Sequence, residues 1–89
     1  MPAMLITYDG KNQWLDFGRL TRAIKKYEWV RLTDYSYAIA TNASPHEVFN
    51  TLRPCLDDSA NLYVIHLKKP FTGFGPQNVN DWLVKHMGD

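Results

Sequence analysis

The sequence predicts an α+β fold of the ferredoxin-like type, a single domain over residues 1–89 with a four-stranded antiparallel sheet. Apolar residues alternate in several short segments and recur at steps of three and four in longer ones. These segments follow the order strand, helix, strand, strand, helix, strand, and an extra helix ends the chain. Right-handed crossovers then place both main helices on one face of the sheet, with the strands in the spatial order four, one, three, two.

The first two elements are a strand and a helix joined by a polar turn. The strand is predicted at Met4–Tyr8, where apolar side chains alternate, and the turn at Gly10–Gln13. The helix is predicted at Trp14–Tyr27. Its apolar stripe consists of Phe17, Leu20, Ala23, Ile24 and Tyr27.

A β-hairpin is predicted next, in a stretch rich in aromatic and β-branched residues and free of Pro and Gly. Its strands are Trp29–Thr33 and Tyr37–Thr41, interrupted by residues 34–36. The aromatic residues near its tip are either interface residues or cross-strand pairs within the sheet. They are Trp29, Tyr35 and Tyr37.

The second main helix has the clearest local signal. Ser44 is placed to cap it, Pro45 suits the first helical position and Glu47 completes a capping box. Pro54 falls inside the apolar stripe that follows and removes a hydrogen bond, so we expect a kink or an early end there.

The last strand and the extra helix complete the pattern. Leu62–Leu67 is apolar on both faces apart from His66, which is typical of a central strand. After a loop at 68–77, Asn78 or Asn80 is predicted to cap a helix that runs through Met87. We expect this helix or a dimer partner to cover the sheet face that the two main helices leave exposed.

Composition narrows the class of protein. The chain is 45% hydrophobic and 21% charged, which is ordinary for a soluble domain, and a core this small favours a homodimer. A net charge of +1 excludes a global field that attracts nucleic acid, so such contacts need a local patch. The single Cys55, predicted to be a buried structural thiol, suits a reducing cytoplasm. No segment has the pattern of a membrane span or a signal peptide, so we expect a cytoplasmic protein without a membrane partner.

Several short motifs carry a family resemblance over roughly residues 4–67. They are "LITYD", "AIKKYEW", "YSYAIATNASPHEV" and "LRPCLDDSANLYVIHL", in this order. In these the chain resembles small SinR-like proteins, which are related in fold to the dimeric metal-binding subunit of the CRISPR spacer-acquisition complex. The resemblance implies a dimer in which the aspartate that ends the first strand, here Asp9, meets its mate and binds a divalent metal, with nuclease activity in some members. Residues 11–14 depart from the arginine pair that is common in those relatives.

Asp9 is the candidate catalytic and metal-binding residue. As a hard oxygen ligand at the end of a strand it suits Mg²⁺ or Mn²⁺, and it needs a second carboxylate from a dimer mate or from Asp16. The alternative is that Asp9 closes the turn at Gly10. We expect Asp9 to have this structural role, because no motif supplies a base that activates water.

Two segments are candidates for nucleic-acid binding. Cations on the first helix either face phosphates or form a solvated surface. In the loop that follows the last strand, aromatic rings either stack on bases while lysines hold phosphates, or anchor the loop onto the sheet or a second subunit, which is the role we expect. The candidate residues are Arg19, Arg22, Lys25, Lys26, Lys68, Lys69, Phe71 and Phe74.

The three histidines lack the spacing of metal ligands, and His66 is expected to be a hydrogen-bonded core residue. The sequence therefore favours a non-catalytic interaction or nucleic-acid-associated module. One alternative is a metal-dependent nuclease that acts on RNA or DNA through Asp9. Another is a toxin–antitoxin or phage-defence component that works by binding a protein.

Overall fold

Four strands and three α-helices follow the predicted order in the computed structural model, which describes residues 1–10 and 17–88. The elements are β1 (Ala3–Gly10), α1 (Gly18–Ile24), β2 (Glu28–Thr33), β3 (Ser36–Ala40), α2 (Pro45–Leu52), a short 3-10 helix (Arg53–Cys55), β4 (Ala60–Leu67) and α3 (Gln77–His86). All neighbouring strands are antiparallel, and their order is β2-β3-β1-β4. This confirms the predicted ferredoxin-like α+β fold with an extra C-terminal helix.

The main core lies between the sheet and the two helices α1 and α2, on what we call the inner face. Alternate residues of β1 point into it, and the pairings of Met4 with Ile39 on β3 and with His66 on β4 show how the strands align. The buried members of this core are Met4, Ile6, Tyr8, Leu20, Ile24, Tyr37, Ile39, Val48, Leu52 and Leu62. Cys55, half-buried, packs beside them as the predicted structural thiol.

The opposite, outer face of the sheet is only partly covered. Leu83 and Met87 at the end of α3 pack on Ala3, Val30 and Ala38 in a second, smaller core. The last helix therefore covers β2, β3 and the start of β1. The rest of β1 and the adjoining part of β4 stay open on this face, because α3 packs against β2 rather than β4.

The predicted signals of α2 are confirmed. The Ser44 hydroxyl accepts a hydrogen bond from the Glu47 amide, and the Glu47 carboxylate accepts one from the Ser44 amide, each at 3.1 Å. The helix ends at Leu52 and tightens into the 3-10 turn that contains Pro54. A missing amide at Pro54 explains this early end.

The first helix is shorter than predicted at its C-terminus. It ends at Ile24, because the amides of Lys26 and Tyr27 bond to carbonyls three residues back, which tightens the last turn. The predicted helix start at residues 14–16, including Asp16, and most of the turn at Gly10–Gln13 lie outside the described residues. β1 itself continues to Gly10.

Two expectations for the C-terminal part were wrong. Helix α3 begins directly after Pro76, whose carbonyl accepts the first helical hydrogen bonds, so neither Asn78 nor Asn80 caps it. His66 is exposed rather than in the core. Strand β4 lies at the edge of the sheet, as the predicted order four, one, three, two requires, although its two apolar faces are typical of a central strand. In the part of the chain that the structure describes, no helix has the length and apolarity needed to cross a membrane.

Candidate functional site

The open half of the outer face forms one continuous surface. We call it the open patch, and its members come from the adjoining strands β1 and β4. It contains Leu5, Thr7, Asp9, Asn61, Tyr63 and Ile65. Tyr63 is 63% exposed and Ile65 48% exposed, which is unusual for large side chains in the middle of a strand. The predicted candidate Asp9 therefore lies at one end of an apolar surface.

Asp9 is held in place by β4. Its Oδ1 accepts a hydrogen bond of 2.8 Å from Nδ2 of Asn61, the residue directly opposite it in the strand register. A shallow pocket of about 220 Å³ opens here, lined by Asp9, Asn61, Thr7, Tyr8 and Tyr63. Asp9 thus has a cross-strand partner in Asn61, while the turn that it is predicted to close lies mostly outside the described residues, so that role stays a prediction.

Tyr8 closes the pocket from the core side. Its ring packs edge-on against Phe17 and Tyr35, with ring centres 5.0 Å and 6.0 Å away. Burial, reinforced by the neighbouring Tyr37, raises the pKa of the Tyr8 phenol to about 12. The phenol is therefore neutral at physiological pH and is not a general base.

The hairpin aromatics have mixed roles. Tyr37 is buried, and Trp29 lies against it with ring centres 5.8 Å apart, as expected for a pair within the sheet. Tyr35 at the tip is 52% exposed, while Lys25 places its Nζ 5.0 Å from the centre of the Trp29 ring. Trp29 and Tyr35 both keep exposed surface, so the two alternatives for these residues coexist.

Potential metal ligands are dispersed over the described part of the chain. No group of three or more His, Cys, Asp or Glu side chains comes together there. His46 lies on the first turn of α2, and His66 on β4. His86, at the end of α3, is half-buried and packs on Trp82 with ring centres 4.2 Å apart.

The cations of α1 are exposed to solvent on the side of the molecule where α1 and α2 cover the inner face of the sheet. None of the four makes an ion pair with another described residue, and the members at steps of three and four share one side of the helix. These four are Arg19, Arg22, Lys25 and Lys26. Lys25 and Lys26 follow the helix directly, so the surface extends past its end.

The loop after β4 lies on the other side of the sheet. Phe71 packs into the outer-face core, as the anchoring alternative predicts, whereas Phe74 is fully exposed at 107% and does not anchor the loop to the sheet; its contact with a second subunit stays a prediction. Lys68 lies beside the end of α3, and Lys69 donates its amide to the Gly88 carbonyl at 2.7 Å. The structure therefore does not bring the loop and the α1 cations into one patch.

Sequence reasoning missed Asn61 and Lys85. Asn61 is 52 positions from Asp9 and becomes its partner only through the register of β1 and β4. Lys85 meets His66 and Lys68 only because α3 returns across the sheet to the end of β4. The contact between Asp9 and Asn61 could have been predicted only from an alignment of the two strands that places residue 61 opposite residue 9.

Comparison of the chain with protein-family models, with curated proteins and with solved structures gave no match in any of the three. The resemblance to SinR-like proteins and to the CRISPR adaptation subunit therefore remains a prediction from the quoted motifs.

Proposed function

We propose that this protein is a non-catalytic interaction module that forms a homodimer through the open patch. The observation that carries the proposal is the exposure of Tyr63 and Ile65 on an edge strand. Between Asn61 and Leu67, β4 contains no Pro, Gly or Lys, the residues with which soluble proteins commonly protect a sheet edge. A surface of this kind is stabilised when another chain covers it.

A second copy of the chain fits this surface. In a twofold dimer the same patch meets itself, so the apolar side chains Tyr63 and Ile65 contact their own counterparts. At one end of the patch, Asp9 and Asn61 place polar groups at the rim of this interface. The net charge of +1 leaves two copies with little mutual repulsion.

The direct experiment is a mass measurement by light scattering across a concentration series. The monomer is 10.3 kDa, and we expect the mass to approach twice this value as the concentration rises. Hydrogen exchange of the β4 amides is expected to slow in parallel, since dimerisation covers that strand. A monomeric mass at the highest concentration contradicts the proposal, and β4 amides whose exchange ignores concentration contradict the location of the interface.

Nucleic-acid association is a second candidate function, favoured by the exposed cations of α1. Arg19 and Arg22 are three positions apart and share one side of the helix, and Lys25 and Lys26 follow directly after its end. Cations that lack an acidic partner among the described residues attract phosphates and give salt-dependent binding. Because the loop at 68–76 lies across the sheet, this candidate relies on α1 alone.

The nuclease alternative depends on Asp9. A dimer built on the open patch brings the Asp9 carboxylates of both copies to the same interface, where together they could hold Mg²⁺ or Mn²⁺. Hydrolysis also needs a base that activates water, and apart from Asp9 itself no carboxylate or imidazole of the described residues lines the pocket, where the Tyr8 phenol is neutral.

If the chain is a toxin–antitoxin or phage-defence component, the open patch would bind a different protein instead of a second copy. Light scattering of the isolated chain distinguishes the two cases, because the chain would then stay monomeric.

A further inference from the structure

We propose that a pocket between the end of β4 and the end of α3 binds a phosphate dianion, either orthophosphate or a phosphomonoester such as a small alkyl phosphate. The pocket measures about 480 Å³ and lies away from Asp9, at the opposite end of β1. Its basic side chains are His66 and Lys68 from the β4 side and Lys85 and His86 from α3, and the carboxamide of Asn42 also lines it. This proposal goes beyond the dimer and needs only one chain.

The two elements are fixed to each other at the pocket. Lys68 and Gly88 form a parallel β-bridge, and the Lys69 amide donates a hydrogen bond of 2.7 Å to the Gly88 carbonyl. Met87, beside Gly88, is buried in the outer-face core. The exposed side chains His66, Lys68 and Lys85 therefore sit on a common frame, so a ligand does not have to bring them together.

The charged side chains that line the pocket are basic in the part of the chain that the structure describes. No described Asp or Glu side chain lines it. One carboxylate stands beside it without lining it, that of Glu28, which lies 3.9 Å from the buried Nε2 of His86. A concave site with cations of one sign concentrates anions from solution.

The C-terminal dipole of α3 explains only part of this arrangement. Lys85 and His86 in the last turn complement that dipole whether or not an anion binds. Lys68 and His66 come from another element and have no such role. Two permanent charges match the double charge of a phosphomonoester, and the volume leaves room for a small organic group beside the phosphate.

The test uses the ring signals of the three histidines in ¹H–¹³C NMR spectra at constant ionic strength. We titrate the protein with orthophosphate, methyl phosphate or dimethyl phosphate. Orthophosphate and methyl phosphate are expected to shift the signals of His66 and His86 saturably, while His46, outside the pocket, stays unchanged. Dimethyl phosphate, with a single charge, is expected to have little effect.

Variants locate the site. Lys68→Gln together with Lys85→Gln is expected to weaken methyl phosphate binding at least tenfold, whereas Arg31→Gln, which removes an exposed cation of β2 outside both the pocket and α1, leaves it unchanged. A 5′-phosphorylated trinucleotide and its 5′-hydroxyl form distinguish a free phosphomonoester from a nucleic-acid end. Tighter binding of the phosphorylated form than of methyl phosphate identifies a nucleic-acid end, and equal or weaker binding a free ligand.

Four results overturn the proposal. The first is the absence of saturable shifts at His66 and His86. The second is an equal response of all three histidines, which means unspecific anion binding. The third is dimethyl phosphate binding as tightly as methyl phosphate. The fourth is methyl phosphate binding that the double lysine variant retains.

Discussion

Replacing Ile65 by Lys tests the proposed dimer most sharply. Ile65 is 48% exposed in the single chain. Full burial of such a side chain contributes about 1.5–3 kcal/mol, so covering the exposed half contributes roughly 0.7–1.5 kcal/mol per copy. A twofold axis counts the contact twice, so Ile65→Lys removes roughly 1.5–3 kcal/mol from the dimer and raises Kd roughly 10- to 150-fold.

Sedimentation equilibrium of the wild-type protein and of the variant measures this change in Kd. Val84→Lys is the matched control, because Val84 is an aliphatic residue of similar exposure, 55%, on α3 and outside the open patch. Near-ultraviolet circular dichroism and thermal unfolding verify that both variants fold. Equal dimer dissociation in Ile65→Lys and Val84→Lys, or no change in either, refutes the reasoning that places the interface on β4.

Four further predictions concern individual side chains. Asp9→Asn is expected to leave dimer mass and stability nearly unchanged, since Asn still accepts the Asn61 hydrogen bond, as light scattering and urea unfolding will show. Arg22→Gln with Lys26→Gln is expected to weaken any binding of mixed-sequence RNA or DNA and to lower the salt slope by about two, measured by fluorescence anisotropy. Ser44→Ala loses the helix cap and is expected to cost about 1 kcal/mol, or roughly 4–8 °C in Tm. The free energy of unfolding is expected to fall as pH rises from 10 to about 12. The reason is that the folded state keeps the Tyr8 phenol protonated above the pKa of 10.0 that this group has when exposed. Urea unfolding at a series of pH values measures this fall.

Each of these has a control and an adverse result. Cleavage of RNA or DNA with Mg²⁺ or Mn²⁺ that disappears in Asp9→Asn reverses the non-catalytic assignment. Lys69→Gln, on the other side of the sheet and outside the proposed phosphate pocket, is the control for α1, and absence of binding at low salt ends the nucleic-acid candidate. Ser44→Thr keeps a hydroxyl and should retain most of the stability. Tyr8→Phe should remove the fall in the free energy of unfolding at alkaline pH. Tyr63→Phe, which changes an exposed tyrosine, should retain this fall. An equal fall in both variants assigns it to other groups.

Local signals in the sequence predicted most of the secondary structure. The capping box at Ser44 and the helix-ending Pro54 depend on neighbours within a few residues, and both are confirmed. Apolar alternation predicted the strands to within one or two residues at most ends, because side-chain direction alternates along any strand. The order of these elements then restricted the topology, since right-handed crossovers leave few arrangements. The start of α3 was predicted wrongly, because Pro76 began the helix before either candidate asparagine.

The sequence by itself thus determined the kinds of elements, their order and the ferredoxin-like fold. Only the tertiary structure decided which surfaces remain open. The contact between Asp9 and Asn61, the exposure of His66 and the meeting of Lys68 with Lys85 all join distant parts of the chain. The period of apolar residues shows which side of its helix or strand a residue faces, but it does not show what covers that side. The coverage followed from α3, which packs over β2 and β3 and leaves Tyr63 and Ile65 on the outer side of β4 exposed.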